Sequence, residues 1–281
     1  MMRVTLLQMN PGADKQANID QATQLLNDAA SDAPDLVSLP EMWTCLGGDL
    51  ATKRQAAERL PEPGGTGGLA YEFLRQVARS RGVTVHGGSL CEDGGEQLYN
   101  TTVVFGPDGT ERARYRKIHL FDIPTPDGQG YRESASYGAG DRVVTLDVGG
   151  MRLGLAICYD LRFAELFLAL RRAGAEVLML PSAFTVPTGR DHWEPLLRAR
   201  AIETQCWVLA AATWGQHRDG GGGIRQTYGH SMIIDPWGAV VAMASDGVGV
   251  VSARIDPART VRVRRDMPVM EHRKLESGQR A

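Results

Sequence analysis

The chain contains no apolar run of the roughly 18 residues that a membrane-spanning helix requires, and neither sign of charge dominates. Its 31 Lys and Arg against 33 Asp and Glu leave a formal charge of -2, with the signs interspersed. That balance gives no electrostatic footprint for nucleic acid or for an anionic membrane, so neither is expected as a partner. Cysteine is scarce. Cys45, Cys91, Cys158 and Cys206 form no Cys-x-x-Cys pair, so no metal site is expected, and nothing in the pattern calls for a cofactor. The start, Met1 to Leu7, reads directly into a strand and lacks the apolar core and small-residue cleavage site of a signal peptide. Unpaired thiols fit a reducing compartment, and the expected location is the cytoplasm. No linker, low-complexity block or charge run divides the 281 residues, 43% of them hydrophobic, so one domain over residues 1–281 is expected.

What is present alternates between two periods. Residues 3 to 9 read as a strand. Asp14 then reads as the N-cap of a helix with Ile19, Ala22, Leu25, Leu26 and Ala29 on one face. Leu36 to Leu39 is a short strand, stopped by Pro40, which cannot donate to a ladder. Gly67 and Gly68 precede a second amphipathic helix, with Leu69, Phe73, Leu74, Val77 and Ala78 inward and Gly82 at its end. Val83 to Ser89 is the next strand. Hairpins follow at Pro107-Asp108-Gly109, at Gly149-Gly150 and at Asp235 to Gly238. A helix from Glu165, a strand from Val177 to Leu180, a helix from about Asp191 to Gln205, and strands at Trp207 to Ala212 and Val248 to Ile255 complete the pattern. About twelve strands are too many for one open sheet of ordinary size. Two sheets packed face to face with helices outside would bury them all, so the expected fold class is α/β, a four-layer α-β-β-α sandwich. The adjacent hairpins argue against the strict alternation of a TIM barrel.

Three reactive side chains fall at strand ends, the edge where α/β folds bind ligands. Cys158 lies at the seam between the buried run Met151 to Ile157 and the helix from Glu165. A thiol there faces the mouth of the fold. So do the N–H groups of the following turn, Tyr159 first, and these suit a developing oxyanion. The plain alternative is a small core hydrophobe. Glu41 lands just past the strand that Pro40 stops, where it could instead cap a turn. Lys117 follows the strand Glu111 to Tyr115, where it could instead be a solvated surface charge.

The segments that carry these residues are Leu39-Pro40-Glu41, Arg116-Lys117-Ile118-His119-Leu120 and Ile157-Cys158-Tyr159-Asp160. In that order they resemble the nitrilase, or carbon–nitrogen hydrolase, superfamily over almost the whole chain. Further segments, Arg132 to Ser134, Pro181 to Phe184, His192 to Glu194, Arg198 to Glu203, Tyr228 to Met232 and Asp235 to Gly238, are similar to its deaminated glutathione amidase and ω-amidase branch. The resemblance implies the four-layer sandwich. It also implies a thiol amidase with Glu41, Lys117 and Cys158 as catalytic residues, and Glu133 as an additional carboxylate whose plain alternative is a surface salt bridge. Phe184, His192 and Trp193 fall in the region that shapes the family's pocket. The implied substrate is the amide of a small 2-oxo dicarboxylic acid; deaminated glutathione would yield 2-oxoglutarate and cysteinylglycine. The alternatives are 2-oxoglutaramate or another small amide or N-carbamoyl compound. A homodimer or higher homo-oligomer is also implied, with residues 256–281 as a helix and tail at the interface.

The chemistry suits those residues. An amide is a poor electrophile with a poor leaving group, so it needs a strong nucleophile, oxyanion stabilisation and a proton for the departing nitrogen. Cys158 would attack. Lys117 would lower the thiol pKa and hold the oxyanion together with the Tyr159 N–H. Glu41 would take the thiol proton, pass it to the amine, then activate water. The substrate's carboxylate needs cationic partners, for which Arg162, Arg190, Arg200 and Arg225 are candidates. A Cys–His protease is the nearest competing chemistry, but His119 and His230 are expected to make structural hydrogen bonds. The helix from Glu165 carries Leu166, Phe167, Leu168 and Leu170 on more than one face, which suggests cover by a symmetric partner.

Overall fold

A computed structural model describes residues 1–124 and 130–274. Six α-helices lie among them: α1 Lys15–Asp28, α2 Leu50–Ala56, α3 Leu69–Arg81, α4 Ala164–Arg172, α5 Val186–Thr204 and α6 Pro257–Asp266. The strands of the first half are β1 Met2–Gln8, β2 Leu36–Ser38, β3 Thr84–His86, β4 Leu90–Asp93, β5 Leu98–Phe105, β6 Glu111–Arg116, β7 Asp122–Pro124, β8 Gly130–Arg132 and β9 Tyr137–Gly138. Those of the second half are β10 Thr145–Val148, β11 Met151–Leu155, β12 Val177–Met179, β13 Trp207–Ala210, β14 Trp214–Arg218, β15 Ile224–Tyr228, β16 Met232–Ile234, β17 Val240–Met243 and β18 Gly249–Ile255. The strands outnumber the expectation because several span only two to four residues, too few for a hydropathy period to register.

Two large sheets result. The first runs β18-β1-β2-β3-β5-β4, with β6 and β9 also on β5; the second runs β10-β11-β12-β13-β16-β17. Each has a parallel centre, β1/β2/β3 in one and β11/β12/β13 in the other. The pleat of β1 sends Met2, Val4 and Leu6 into the core shared with the second sheet, and Leu7 into the core under α1 and α3. Leu36 against Val37, and Val104 against Val103 and Phe105, repeat that division. On the far side, α4 and α5 pack Phe167, Leu170, Trp193 and Leu197 onto the second sheet. The layers are therefore helix, sheet, sheet, helix in one domain, as expected. Because both faces of the central strands are buried, they read as continuous apolar runs rather than as alternation.

Local chemistry explains the boundaries. The Asp14 carboxylate accepts the N–H groups of Gln16 and Ala17 and caps α1. Gly82 ends α3 in the left-handed region, φ +64°. The β10–β11 turn holds Gly149 and Gly150 at φ +56° and +79°, as a tight hairpin turn demands.

Two expectations require correction. Leu69 is 54% exposed, because as the first residue of α3 it faces outward. α5 begins at Val186, ahead of Asp191; Pro187 and Gly189 resemble breakers, but proline is compatible with a first helical turn. On α4, Leu166, Phe167 and Leu170 are buried by its own chain, while Leu168 is half-buried. The expected interface at residues 256–281 contains α6, but its last part, residues 275–281, lies outside the described residues.

The parallel centres of both sheets direct their carboxyl ends to one edge. There the chain after β2 is clamped by the segment after β3. Trp43 Nε1 donates to the Gly87 carbonyl at 2.8 Å, and the Met42 N–H donates to Ser89 Oγ at 3.0 Å. Gly88, at φ +61°, allows this approach: a Cβ there would lie 2.1 Å from the Pro40 carbonyl oxygen, one residue before Glu41.

Candidate active site

Four segments converge at that edge. Glu41 follows β2, and Lys117 follows β6 directly. Glu133 opens a one-turn 3-10 helix after β8, and Cys158 opens another, Cys158–Arg162, after β11. Cys158 takes a left-handed backbone, φ +47°, a conformation rare for a residue with a side chain and characteristic of functional turns.

Lys117 is buried and makes two ion pairs. Its Nζ lies 3.0 Å from Glu41 Oε1, and 2.9 and 3.2 Å from the two Glu133 oxygens. Glu133 also accepts the Phe121 N–H at 2.7 Å, so its plain surface reading does not hold. The Cys158 thiol sits beside the Glu41 carboxylate on the same cavity.

The protonation states follow from these contacts. Burial opposes charge on Glu41, yet the Lys117 ammonium, the bonds from Cys158 and Lys117 and the field of Arg225 prevail, so its carboxyl stays below the usual carboxylate range. Burial also opposes charge on Lys117, but the Glu133 and Glu41 carboxylates hold it firmly protonated. Burial and then the Glu41 charge push the Cys158 thiol well above its ordinary range, and Lys117 offsets only part of that. Lys117 thus lowers the thiol pKa as expected, but burial and the Glu41 charge outweigh it. The resting pair is a neutral thiol beside an ionised base.

The nucleophile turn is held by Asp160, which is fully buried and which the sequence reading gave no role. Its Oδ2 accepts the Ile157 N–H at 2.9 Å and the Tyr115 hydroxyl at 2.7 Å. Its Oδ1 accepts the His119 N–H at 3.0 Å and pairs with His119 Nδ1 at 2.7 Å. One carboxylate thus joins the Cys158 turn to the Lys117 segment. His119 stacks on Phe163 at 3.7 Å, and His230 Nδ1 meets the Tyr228 carbonyl at 2.8 Å. Both bonds are structural, which removes the Cys–His alternative. The Tyr159 N–H is the second of its 3-10 turn and has no intrahelical acceptor.

A second residue escaped the sequence reading. The Asn100 side-chain amide, on β5, donates to Glu41 Oε1 at 2.9 Å and to Glu133 Oε1 at 3.2 Å. Its signal was an amide side chain inside the strand Leu98 to Phe105.

These groups open onto a cavity of about 270 Å³. Tyr159, Phe184, Tyr131, Arg162 and Arg225 are among its lining residues. Trp193 is not: it is buried behind Phe184, ring centroids 5.0 Å apart, with its N–H on the His230 carbonyl. Nor is His192, whose Nδ1 lies 3.4 Å from Arg162. Both therefore support the wall rather than form it, because α5 turns them to its packed and outer faces. Of the candidate arginines, Arg200 is buried on Glu203 and the Leu161 carbonyl, and Arg190 is exposed outside the cavity. Arg162 and Arg225 remain, and neither forms a salt bridge among the described residues. Arg225 donates to the Ala183 carbonyl at 2.7 Å, and its Nε is buried without a partner. Among the described residues no cluster suited to a metal ion occurs, and no helix is long and apolar enough to cross a membrane.

Residues 3–265 match the carbon–nitrogen hydrolase family. A deaminated glutathione amidase of Synechocystis is 42% identical, over 95% of this chain and 96% of the relative. A human omega-amidase is 37% identical, over 97% and 95%. The solved NitFhit protein of C. elegans superposes with a TM-score of 0.87 at 37% identity; the match covers 97% of this chain and 65% of that longer one.

Proposed function

The chain belongs to the carbon–nitrogen hydrolase family, and from that premise we propose a thiol amidase that cleaves the amide of a small 2-oxo dicarboxylic acid, with deaminated glutathione as the substrate. The observation that carries the reaction type is the convergence on one cavity of the Cys158 thiol, the Glu41 carboxylate and the Lys117 ammonium that bonds it. As Cys158 Sγ attacks the amide carbonyl, its proton passes to Glu41. The oxyanion takes the Tyr159 N–H and a Lys117 hydrogen now shared with Glu133. Glu41 then protonates the leaving nitrogen, the C–N bond breaks and a thioester remains. Glu41 next takes a proton from water, which frees the acid and restores the thiol.

Two observations support the substrate. Arg162 and Arg225 line the cavity and form no salt bridge among the described residues, while Lys117 is already neutralised, so an anionic group suits them. The most similar relative reported above is named a deaminated glutathione amidase. The omega-amidase likeness makes 2-oxoglutaramate the second reading. Comparison of kcat/KM for the two compounds tests the choice, with deaminated glutathione expected to lead; a clear preference for 2-oxoglutaramate selects the second reading. In the same assay Arg225→Met is expected to cost about 10- to 100-fold on either acid, the worth of one or two charge-assisted bonds. It should leave a neutral amide unaffected, and an equal loss on both kinds of substrate would remove the anion-binding role.

We also place the protein in the cytoplasm, as a homodimer. The exposed apolar side chains Ile202, Trp237, Val241 and Met243, on α5, the β16–β17 turn and β17, support an assembly surface more directly than α4 does. Light scattering should give about twice the 30.5 kDa chain mass. A monomer throughout the micromolar range would rule out the dimer.

A further inference from the structure

Asn100 touches every charged member of the site. Its backbone carbonyl accepts the Lys117 N–H at 2.9 Å. Its side-chain amide lies 2.9 Å from Glu41 Oε1 and 3.2 Å from Glu133 Oε1. These are the two carboxylates that Lys117 also holds. The residue is 2% exposed and sits mid-strand in β5, in register with Cys91 of β4, so its backbone cannot drift.

The orientation of this amide is chemically forced. Turned over, it would aim a carbonyl oxygen at two carboxylates and place three acceptors together. With the NH₂ toward the carboxylates, Oδ1 is left buried with no partner among the described residues. An unpaired buried acceptor is destabilising, and its retention calls for an explanation. The explanation lies on the donor side, where one NH₂ supplies a hydrogen to each carboxylate.

The consequence concerns which oxygen of Glu41 reacts. Oε1 receives both Asn100 and Lys117, so its lone pairs are committed. Oε2 receives neither. We infer that Asn100 is a positioning residue that pins Glu41 through Oε1, so that Oε2 is the oxygen that exchanges protons with the Cys158 thiol, the leaving nitrogen and water. The inference rests on the reading of Glu41 as general base. The groups that act on Glu41 are Lys117, Cys158 and Arg225, with Glu133 across the same lysine, and Asn100 is the neutral donor among them.

Kinetics of Asn100→Ala and Asn100→Asp across pH test this. Asn100→Ala should lose about 100-fold in kcat, the scale of a misplaced general base, with KM little changed. The acid limb of its kcat/KM profile should move to higher pH, because a carboxylate that loses a donor is easier to protonate. Asn100→Asp keeps the shape but sets a third carboxylate against the other two. It should lose about 1,000-fold at neutral pH, exceeding Asn100→Ala. Should the alanine variant not fold, the aspartate variant carries the test alone, with the same upward shift of the limb expected. Activity within about threefold of wild type, or a loss with the acid limb unmoved, would overturn the inference. Glu41→Gln separates the two levels. If it keeps wild-type turnover, the general-base reading fails and the positioning role with it. If it is inactive while the Asn100 variants leave the limb in place, only the positioning role fails.

Discussion

Cys158→Ala is expected to fold normally and to turn over no amide, a loss of about 10⁵-fold or more in kcat, since the covalent route disappears with the sulfur. The matching chemical result is selective alkylation. All four thiols are raised by burial, Cys91 to about 11, so thiolate content alone does not choose among them. Access and a neighbouring base do. Cys45 and Cys158 both line the cavity, but Cys45, Cys91 and Cys206 are at most 1% exposed, whereas Cys158 is 8% exposed and sits beside Glu41. Iodoacetamide on the native protein, followed by peptide mapping, should mark Cys158 first and abolish activity in step. First labelling at another cysteine with activity intact would sink the nucleophile assignment.

Glu41→Gln and Lys117→Met should each lower kcat by about 10³- to 10⁴-fold, and the double variant by little more than either alone, because the two act as one unit. Glu41→Gln keeps the shape and removes the base. Lys117→Met leaves two buried carboxylates without their counter-charge, so it should also cost about 3–5 kcal/mol of stability. The wild-type pH profile belongs to the same expectation. Glu41 must be ionised to accept the thiol proton, and its pKa is held below the ordinary carboxylate range. Activity should therefore persist through mildly acid pH and fall only as Glu41 takes up a proton. Near-wild-type turnover by either single variant, or multiplicative losses in the double, would refute the coupled pair.

The residues that carry chemistry were readable because each sits where a strand pattern breaks. Pro40 marks the end of β2 one residue before Glu41, and the apolar run before Cys158 stops at the nucleophile. The order of layers was readable too, since strands buried on both faces cannot be shared among fewer sheets. What escaped was whatever depends on neighbours distant in sequence. Asn100 and Asp160 are ordinary polar residues until folding sets them against Glu41, Glu133 and His119. Trp193 and Phe184 look alike in sequence, but Phe184, ahead of α5, meets the cavity, and the rotation of α5 puts Trp193 behind it. The net shift of the thiol was not readable, because sequence supplies the nearby cation but not the burial that outweighs it.

The two sheets contribute unequally to the site. Glu41, Asn100 and Lys117 come from the first sheet, and Cys158 comes from the second. Glu41 and Lys117 are 76 residues apart in the chain, and the cysteine lies further on. Contacts of such sequence separation are slow to form and are consolidated late in folding. Until the sheets dock, Cys158 has no base beside it and is an ordinary thiol. A nascent or partly unfolded chain thus carries the thiol without its catalytic partners, and the catalytic centre comes into being only when the β-sandwich closes.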